Sequence, residues 1–390
     1  MRNLFNSFIG GVKNFFRKGD MVLLVMCLVI SAFGCLVISS ATGAAKFGEN
    51  PDHVLKQLAA IVLGILAYGV MSSIDLEFFS EHRLLLAGFN VFLLLLLIPF
   101  GTDAGSGNYS WLDFPFLPFN IQPAEICKIF YILINASVMN SHQNKLSSVR
   151  SVIHMAVHLG LIFGLNMLIS RDLGVSLIFL FIFIGMAYAG GVKLFWFLLG
   201  GGCLVAVAPI LWTYLDNYQK LRILVLFDES IDPMGIGVRY HSRLSLQSLT
   251  GGGMMGQGLY QGNRTQAGNL PAQHTDFIFS TIGEELGYVG CALVLIMLFL
   301  LVARCIWVGT QSPDYMRRLV CFGAASALIF QIVVNVGMCI GVLPVIGLTL
   351  PLISYGGSSV VTIFAMLGLV SGVHARPAPR SHERYIQPPR

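Results

Sequence analysis

Apolar runs long enough to cross a lipid bilayer recur along almost the whole of this 390-residue chain. Most are about 17–25 residues long, which suits a membrane-spanning helix rather than a barrel strand. Lipid offers the backbone no hydrogen-bonding partner, so a spanning segment must satisfy its own polar groups, as a helix does. The scarcity of charge rules out the soluble alternative. Charged residues make up 11% of the chain and hydrophobic residues 55%, with a mean hydropathy of +0.76. Soluble domains carry about 25% charged residues. The expected fold is an all-α polytopic membrane protein of about ten transmembrane helices.

Spans are expected at 21–43, 54–74, 83–100, 121–140, 151–170, 173–190, 193–213, 277–305, 318–343 and 353–374. Only Arg171 and Asp172 separate the fifth from the sixth, so these two form either a tight hairpin or one broken helix. A segment at 214–276 is too polar to span and is expected as one large loop between the seventh and eighth helices. Loops of this length are uncommon and usually functional. Within it, Gly251-Gly252-Gly253 and Gly256 punctuate the chain, and Leu244 to Leu249 reads as a short amphipathic piece. Residues 375–390, rich in Pro and Arg, are expected to be a disordered tail.

Basic residues set the orientation. Arg2, Lys13, Arg17 and Lys18 precede the first span, and Arg376, Arg380, Arg384 and Arg390 follow the last. Arg83, then Lys145 and Arg150, then Lys193, then Arg304, Arg317 and Arg318 fall in alternate loops. The positive-inside rule puts all of these, and both termini, in the cytoplasm. The 214–276 loop is then extracytoplasmic; its own arginines do not break the rule, since long loops cross largely regardless of charge. Residues 1–20 are amphipathic and basic with no small-residue cleavage site behind the first span, so no cleavable signal peptide is expected. Nucleic-acid binding is not expected either, because the basic residues form no stripe interleaved with aromatics. The eight cysteines all lie in apolar runs without CxxC spacing and read as small packing residues.

Acids inside apolar sequence are the candidates for chemistry. Asp276 stands where the polar loop meets the eighth span, beside Phe277 and Phe279. Partial desolvation there would raise its pKa toward that of a useful general base. Thr275 and Asp276 could equally cap the eighth helix. Glu284 and Glu285 follow about two turns later, and adjacent intramembrane acids call for a buried cation. Lys128 in the fourth span is the expected partner, with Glu125 one turn before it. The alternatives for this set are a structural ion-pair network or a metal or proton site. Asp172 either caps the sixth helix or pairs with Arg171. Ser354-Tyr355-Gly356-Gly357-Ser358-Ser359 opens the last span, either for close packing or as a backbone anion site. Arg222, Arg239, Arg243 and Arg264 in the loop suit an anionic ligand, since arginine binds phosphate in bidentate fashion. A phosphate-bearing lipid is the natural candidate.

Four stretches together resemble the SEDS family, the shape, elongation, division and sporulation proteins of the RodA and FtsW type. They are Gln122-Pro123-Ala124-Glu125 with Lys128; Asp172-Leu173-Gly174; Leu270-Pro271 through His274-Thr275-Asp276-Phe277-Ile278-Phe279 to Gly283-Glu284-Glu285-Leu286-Gly287; and Leu343-Pro344, Gly347, Leu350-Pro351 and Ser354 to Ser359. Their order and spacing cover roughly residues 20–374. The resemblance implies a ten-span fold with cytoplasmic termini in the bacterial cytoplasmic membrane. It implies polymerisation of lipid II into glycan strands outside that membrane, beside a single-span class B penicillin-binding protein that crosslinks them. The family's essential acid falls on Asp276. Arg222, Arg239, Arg243, Arg264, Lys128, His274, Ser354 and Ser358 are the expected substrate-binding residues, and Glu125, Asp172, Glu284 and Glu285 an intramembrane polar network. No metal ligands are assigned, although a divalent cation, Mg or Mn, could share the diphosphate charge. The chain departs from the pattern at Tyr109-Ser110 before Trp111, at Ser170-Arg171 before Asp172 and at Ile346 before Gly347. Two other readings stand beside the enzyme: a flippase for the same lipid-linked precursor, and a catalytically weak scaffold that recruits the penicillin-binding protein.

Overall fold

The structure, a computed structural model, describes residues 19–43, 52–103, 109–114, 119–215 and 217–375. The basic N-terminal segment up to Lys18 and the C-terminal tail from Arg376 lie outside the described residues. Among those described, ten long helical segments account for the ten expected spans. They are Met21–Ala41, Asp52–Ser73, Arg83–Leu95 continued by Leu97–Phe100, Pro123–Ser141, Val149–Ile169, Leu173–Gly190, Leu194–Tyr214, Ile278–Gln311, Tyr315–Cys339 and Gly357–Ala375. These are called the first to the tenth helix below. Eight are long and apolar enough to cross a membrane by length and composition. The fourth is more polar, and the seventh carries Pro209 inside it.

Burial separates centre from rim. In the ninth and tenth helices 67% and 78% of the apolar window is buried, against 17% in the third and fifth. The fourth, ninth and tenth helices therefore form the middle of the bundle, and the others present apolar side chains to lipid. The second and tenth helices approach closely because small residues face each other's backbone. A Cβ at Gly368 would meet Tyr68, and one at Gly64 would meet the Phe364 ring. The seventh helix has no buried residue along its described length. It is tied to the bundle at Ser147, which accepts from Trp196 Nε1 and from the Lys193 N–H. Seven cysteines are buried and Cys203, on the seventh helix, is exposed.

The fifth and sixth helices form a hairpin broken at Ser170–Asp172, with Arg171 in the left-handed region at φ 54°. Asp172 caps the sixth helix by accepting the Val175 N–H at 3.0 Å. It does so beside an exposed Arg171. Two boundaries differ from expectation. The eighth helix runs on to Gln311, and the segment 340–356 between the ninth and tenth helices is not helical. Gly341, Pro344, Gly347 and Pro351 interrupt the apolar sequence there, and glycine and proline end helices. Ser354 thus lies before the last helix rather than in it.

One end of the bundle is locked by charge. Asp20 caps the first helix through the Leu23 N–H, pairs with Arg304 of the eighth at 2.8 Å, and donates its own N–H to the Ser371 hydroxyl oxygen of the tenth. The start of the first helix and the ends of the eighth and tenth therefore share one end, as the alternation of basic loops requires.

Candidate active site

The opposite end carries the mouth of the site. Three successive backbone carbonyls hold the turn before the eighth helix. His274 O accepts the Tyr355 N–H at 2.8 Å, Thr275 O accepts the Ser354 hydroxyl at 2.6 Å, and Asp276 O accepts Asn335 Nδ2 at 2.8 Å. Asn335 also donates to Leu348 O, so one buried amide ties Asp276 to the 340–356 segment. Ala272, at φ 53°, closes the turn by accepting the N–H groups of Thr275 and Phe277. With its backbone held, Asp276 extends its side chain toward Gly347. That residue has φ 71°, and a Cβ on it would stand 3.6 Å from Asp276 Oδ2. The positive φ is what calls for glycine here, since a Cβ at that distance would be in ordinary contact.

Phe277, not Asp276 or Thr275, occupies the cap position of the eighth helix, and no side chain caps it. The capping role expected for Thr275 and Asp276 is therefore not found. The Asp276 carboxylate is left for other work. It is partly exposed. Burial pushes it up to about 6, and the Asp172 charge adds to the rise. The Thr275 hydroxyl and Arg222 pull the other way. Arg222 is seated on the same segment, donating to Val345 O at 2.6 Å.

Behind Asp276 lies a second polar group. Lys128 Nζ meets Glu125 Oε1 at 2.8 Å, and Glu125 Oε2 accepts the Thr362 hydroxyl at 3.0 Å. Gln122 Nε2 donates to Asp172 Oδ2 at 3.3 Å, and the Gln122 N–H donates to Ser358 Oγ. Asp172 is also pushed up to about 6, first by burial and then by Glu125, with Lys128 opposing. The starts of the fourth, sixth and tenth helices are thus drawn together on the flank of Asp276.

Glu284 and Glu285 do not pair with Lys128, which corrects the expectation. Glu284 accepts the N–H groups of Arg264 and Thr265 at 2.8 and 3.1 Å and the Thr265 hydroxyl at 2.8 Å. Glu285 accepts Ser40 Oγ at 2.7 Å and Gln266 Nε2 at 2.9 Å. Backbone N–H donors satisfy a carboxylate as well as a cation does, and the loop brings them. The expected network is therefore two separate sets, Glu125 with Asp172 at the mouth and Glu284 with Glu285 anchoring the loop. Gly287, at φ 66° and ψ −167°, breaks the eighth helix so that Gly253 O and Met254 O can accept the N–H groups of Tyr288 and Val289. A Cβ at Gly256 would collide with the Glu285 carbonyl, which accounts for that glycine.

The loop is ordered by its own polar groups. The amphipathic piece is a helix, Tyr240–Gly251. Arg264 is spent on it, donating to Gln247 O and Oε1. Arg243 donates to Met234 O, and the Arg239 N–H donates to Asp232 Oδ2. His274 stands 5.1 Å from His53 and 5.6 Å from Tyr355 between ring centroids. Burial and then His53 push its pKa down, so it is neutral at neutral pH rather than a cation for phosphate. Ser354 donates to Thr275 O and accepts the Leu350 N–H, and Ser358 receives Gln122, so both hold the site together. Two residues the sequence did not single out are Asn335 and Gln57. Gln57 donates to Ser354 O and accepts the Gly356 N–H. Neither stands out locally, since Gln57 follows His53 and Lys56 and Asn335 lies one turn from Gln331. No group of three His, Cys, Asp or Glu is arranged to hold a metal ion among the described residues.

Comparison with known proteins matches this architecture throughout. The family model of the FtsW, RodA and SpoVE proteins, described as cell cycle protein, matches residues 20–378. The chain is 32% identical over 360 residues to peptidoglycan glycosyltransferase MrdB of Escherichia coli (strain K12), covering 91% of this chain and 93% of that protein. It is 34% identical over 367 residues to the probable peptidoglycan glycosyltransferase FtsW of Geobacter metallireducens, covering 92% and 96%. A solved structure described as "Structural coordination of polymerization and crosslinking by a peptidoglycan synthase complex" is similar with a TM-score of 0.77 at 30% identity, covering 95% of this chain and 99% of that one. Rod shape determining protein RodA of Thermus thermophilus is similar with a TM-score of 0.68 at 27% identity, covering 93% and 98%.

Proposed function

This chain belongs to the FtsW, RodA and SpoVE family of cell cycle proteins, and from that premise we propose how its mouth carries out peptidoglycan glycosyl transfer. The enzyme is a multi-pass membrane protein that polymerises lipid II into glycan strands, the activity its curated relatives are named for. Asp276 is the general base. The observation that supports this is its placement: a carboxylate at the mouth, fixed by its backbone, partly desolvated and beside Arg222. One Asp276 oxygen accepts the proton of the acceptor sugar's 4-hydroxyl. The hydroxyl oxygen then forms a bond to the anomeric carbon of the lipid-linked donor. The bond from that carbon to the phosphate oxygen breaks, and the undecaprenyl diphosphate leaves with the electron pair. Arg222 is the cation of the mouth best placed to receive the developing diphosphate charge. A divalent cation, Mg or Mn, would arrive with the diphosphate, and Asp276 is the carboxylate that could meet it, since both Asp172 oxygens are engaged by Val175 and Gln122.

The mouth faces the outside of the bacterial cytoplasmic membrane in this reading, with both termini inside. The Asp20–Arg304 end carries the basic loops, and basic loops stay cytoplasmic. The partner is a class B penicillin-binding protein. A structural neighbour described as a synthase complex that coordinates polymerization and crosslinking supports it.

The test incubates the purified protein and partner with labelled lipid II in detergent. Polymer resistant to moenomycin is expected. D276N should lower the rate about 10²–10⁴-fold, the usual worth of a positioned base. Polymerisation by D276N at the wild-type rate would sink the assignment. Translocation in liposomes without polymer would favour the flippase, and recruitment of the partner without either activity would favour the scaffold.

A further inference from the structure

The fourth helix carries polar groups that the mouth does not use. Lys128, Tyr131 and Asn135 share one face, with His142 in line at the end of the helix, because steps of three and four residues return to the same side. Tyr131 and Asn135 have no exposed surface. The Tyr131 hydroxyl approaches the Asn135 amide one turn on, and neither side chain makes a well-formed hydrogen bond to any other protein group. His158 of the fifth helix stacks on Tyr131 with ring centroids 5.0 Å apart. Both its ring nitrogens are likewise buried without a bond. Five polar atoms from three side chains therefore lie between two spans with no protein partner beyond the approach of Tyr131 to Asn135. Tyr68 makes the contrast. It is as buried as Tyr131, but its hydroxyl donates to Asp20 O at 2.9 Å.

Buried polar groups in native proteins are either paired or hold ordered water. We propose that Tyr131, Asn135 and His158 bind a buried water cluster. The chemistry of the trio points to water rather than an ion. It offers both donors and acceptors and no carboxylate, and the hydroxyl, amide and imidazole can each turn to either role. Toward the mouth, the cluster lies one turn from Lys128 and its Glu125 partner. Toward the other end, His154 stands one turn from His158 and meets His142 with ring centroids 5.5 Å apart. The cluster thus sits along the fourth helix between the Lys128–Glu125 pair and the His142–His154 pair. The cluster does not depend on which reaction the mouth performs.

Hydroxyl-radical footprinting on a millisecond timescale tests it, because radicals made from bound water oxidise the side chains beside that water. The full-length protein in lipid nanodiscs serves as the sample. Tyr131 is expected to be oxidised about tenfold faster than Tyr68, although both are buried away from bulk solvent. Equally slow oxidation of the two would overturn the proposal. The double variant Asn135→Leu with His158→Phe removes four of the five polar atoms, and Tyr131 should then fall to the rate of Tyr68. Unchanged labelling would count against the trio as the site. The wild-type comparison decides the matter alone if that variant does not fold.

Discussion

Asp276 joins catalysis to its neighbours through charge. A base must be deprotonated to work, and this carboxyl is pushed up to about 6. The polymerisation rate should therefore fall as pH drops through about 6 and level off above it. Asp172 is raised into the same range, and its charge raises Asp276, so the acid limb reflects both carboxyls. Asp172→Asn keeps a helix cap, since Asn caps about as well as Asp. It removes the negative neighbour, so the limb should move to lower pH. Arg222→Gln should move it to higher pH, because a cation that favours the carboxylate is lost. A pH–rate profile for each variant measures both shifts, and limbs that stay in place would refute the coupling. Lys128→Met tests the buried pair. It leaves Glu125 without its cation at a cost of about 3–5 kcal/mol, read as a lowered melting temperature in detergent. Replacing both partners together should recover much of that loss, since an apolar pair leaves no buried charge. Asp276 itself was legible in the sequence, because an acid where loop meets span is locally conspicuous. Asn335 and Gln57 were not. Their importance comes from the loop carbonyls and N–H groups that fold back onto them.

Among the elements, the break in the eighth helix explains most about the loop. Glu284 and Glu285 looked like charges in need of a cation. The glycine-rich stretch of the loop instead docks on the break at Gly287 and on the backbone carbonyls of Glu284 and Glu285, and the N–H groups of Arg264 and Thr265 take the cation's place on Glu284. Gly287→Ala puts a side chain at φ 66° and ψ −167°, a region open to glycine almost alone. The strain is about 1–3 kcal/mol. It should free the loop rather than unfold the spans. Faster tryptic cleavage at Arg239 or Arg243, with helical content unchanged by circular dichroism, is the expected outcome. Cleavage at the wild-type rate would show that the clamp does not depend on the break. The hydrophobic period located this helix and its start to within a residue or so. It could not show the break, because Leu286-Gly287-Tyr288 continues the apolar pattern without interruption.

For the whole molecule, topology is the property to test. Ser230→Cys, in the loop, should react with a membrane-impermeant maleimide added to intact cells. Gln143→Cys, at the other end, should react only after the membrane is opened. The reverse pattern would invert the proposed orientation. The chain's solvent, its number of crossings and the end of the bundle that gathers positive charge were set by the sequence by itself. Apolar length and charge sparsity are local sums, and any window of about 20 residues contains what a bilayer needs to judge it. Only the tertiary structure decided partnership. Lys128 took Glu125 rather than Glu284 or Glu285, Arg264 reached Gln247 of the loop helix, and Phe277 displaced Asp276 from the cap. The base strength of Asp276 has the same origin. It depends on burial by the 340–356 segment, on a negative charge at the sixth helix and on a positive charge from the loop. Those groups lie far apart in the chain, and their field exists only where folding brings them within a few ångströms of one another.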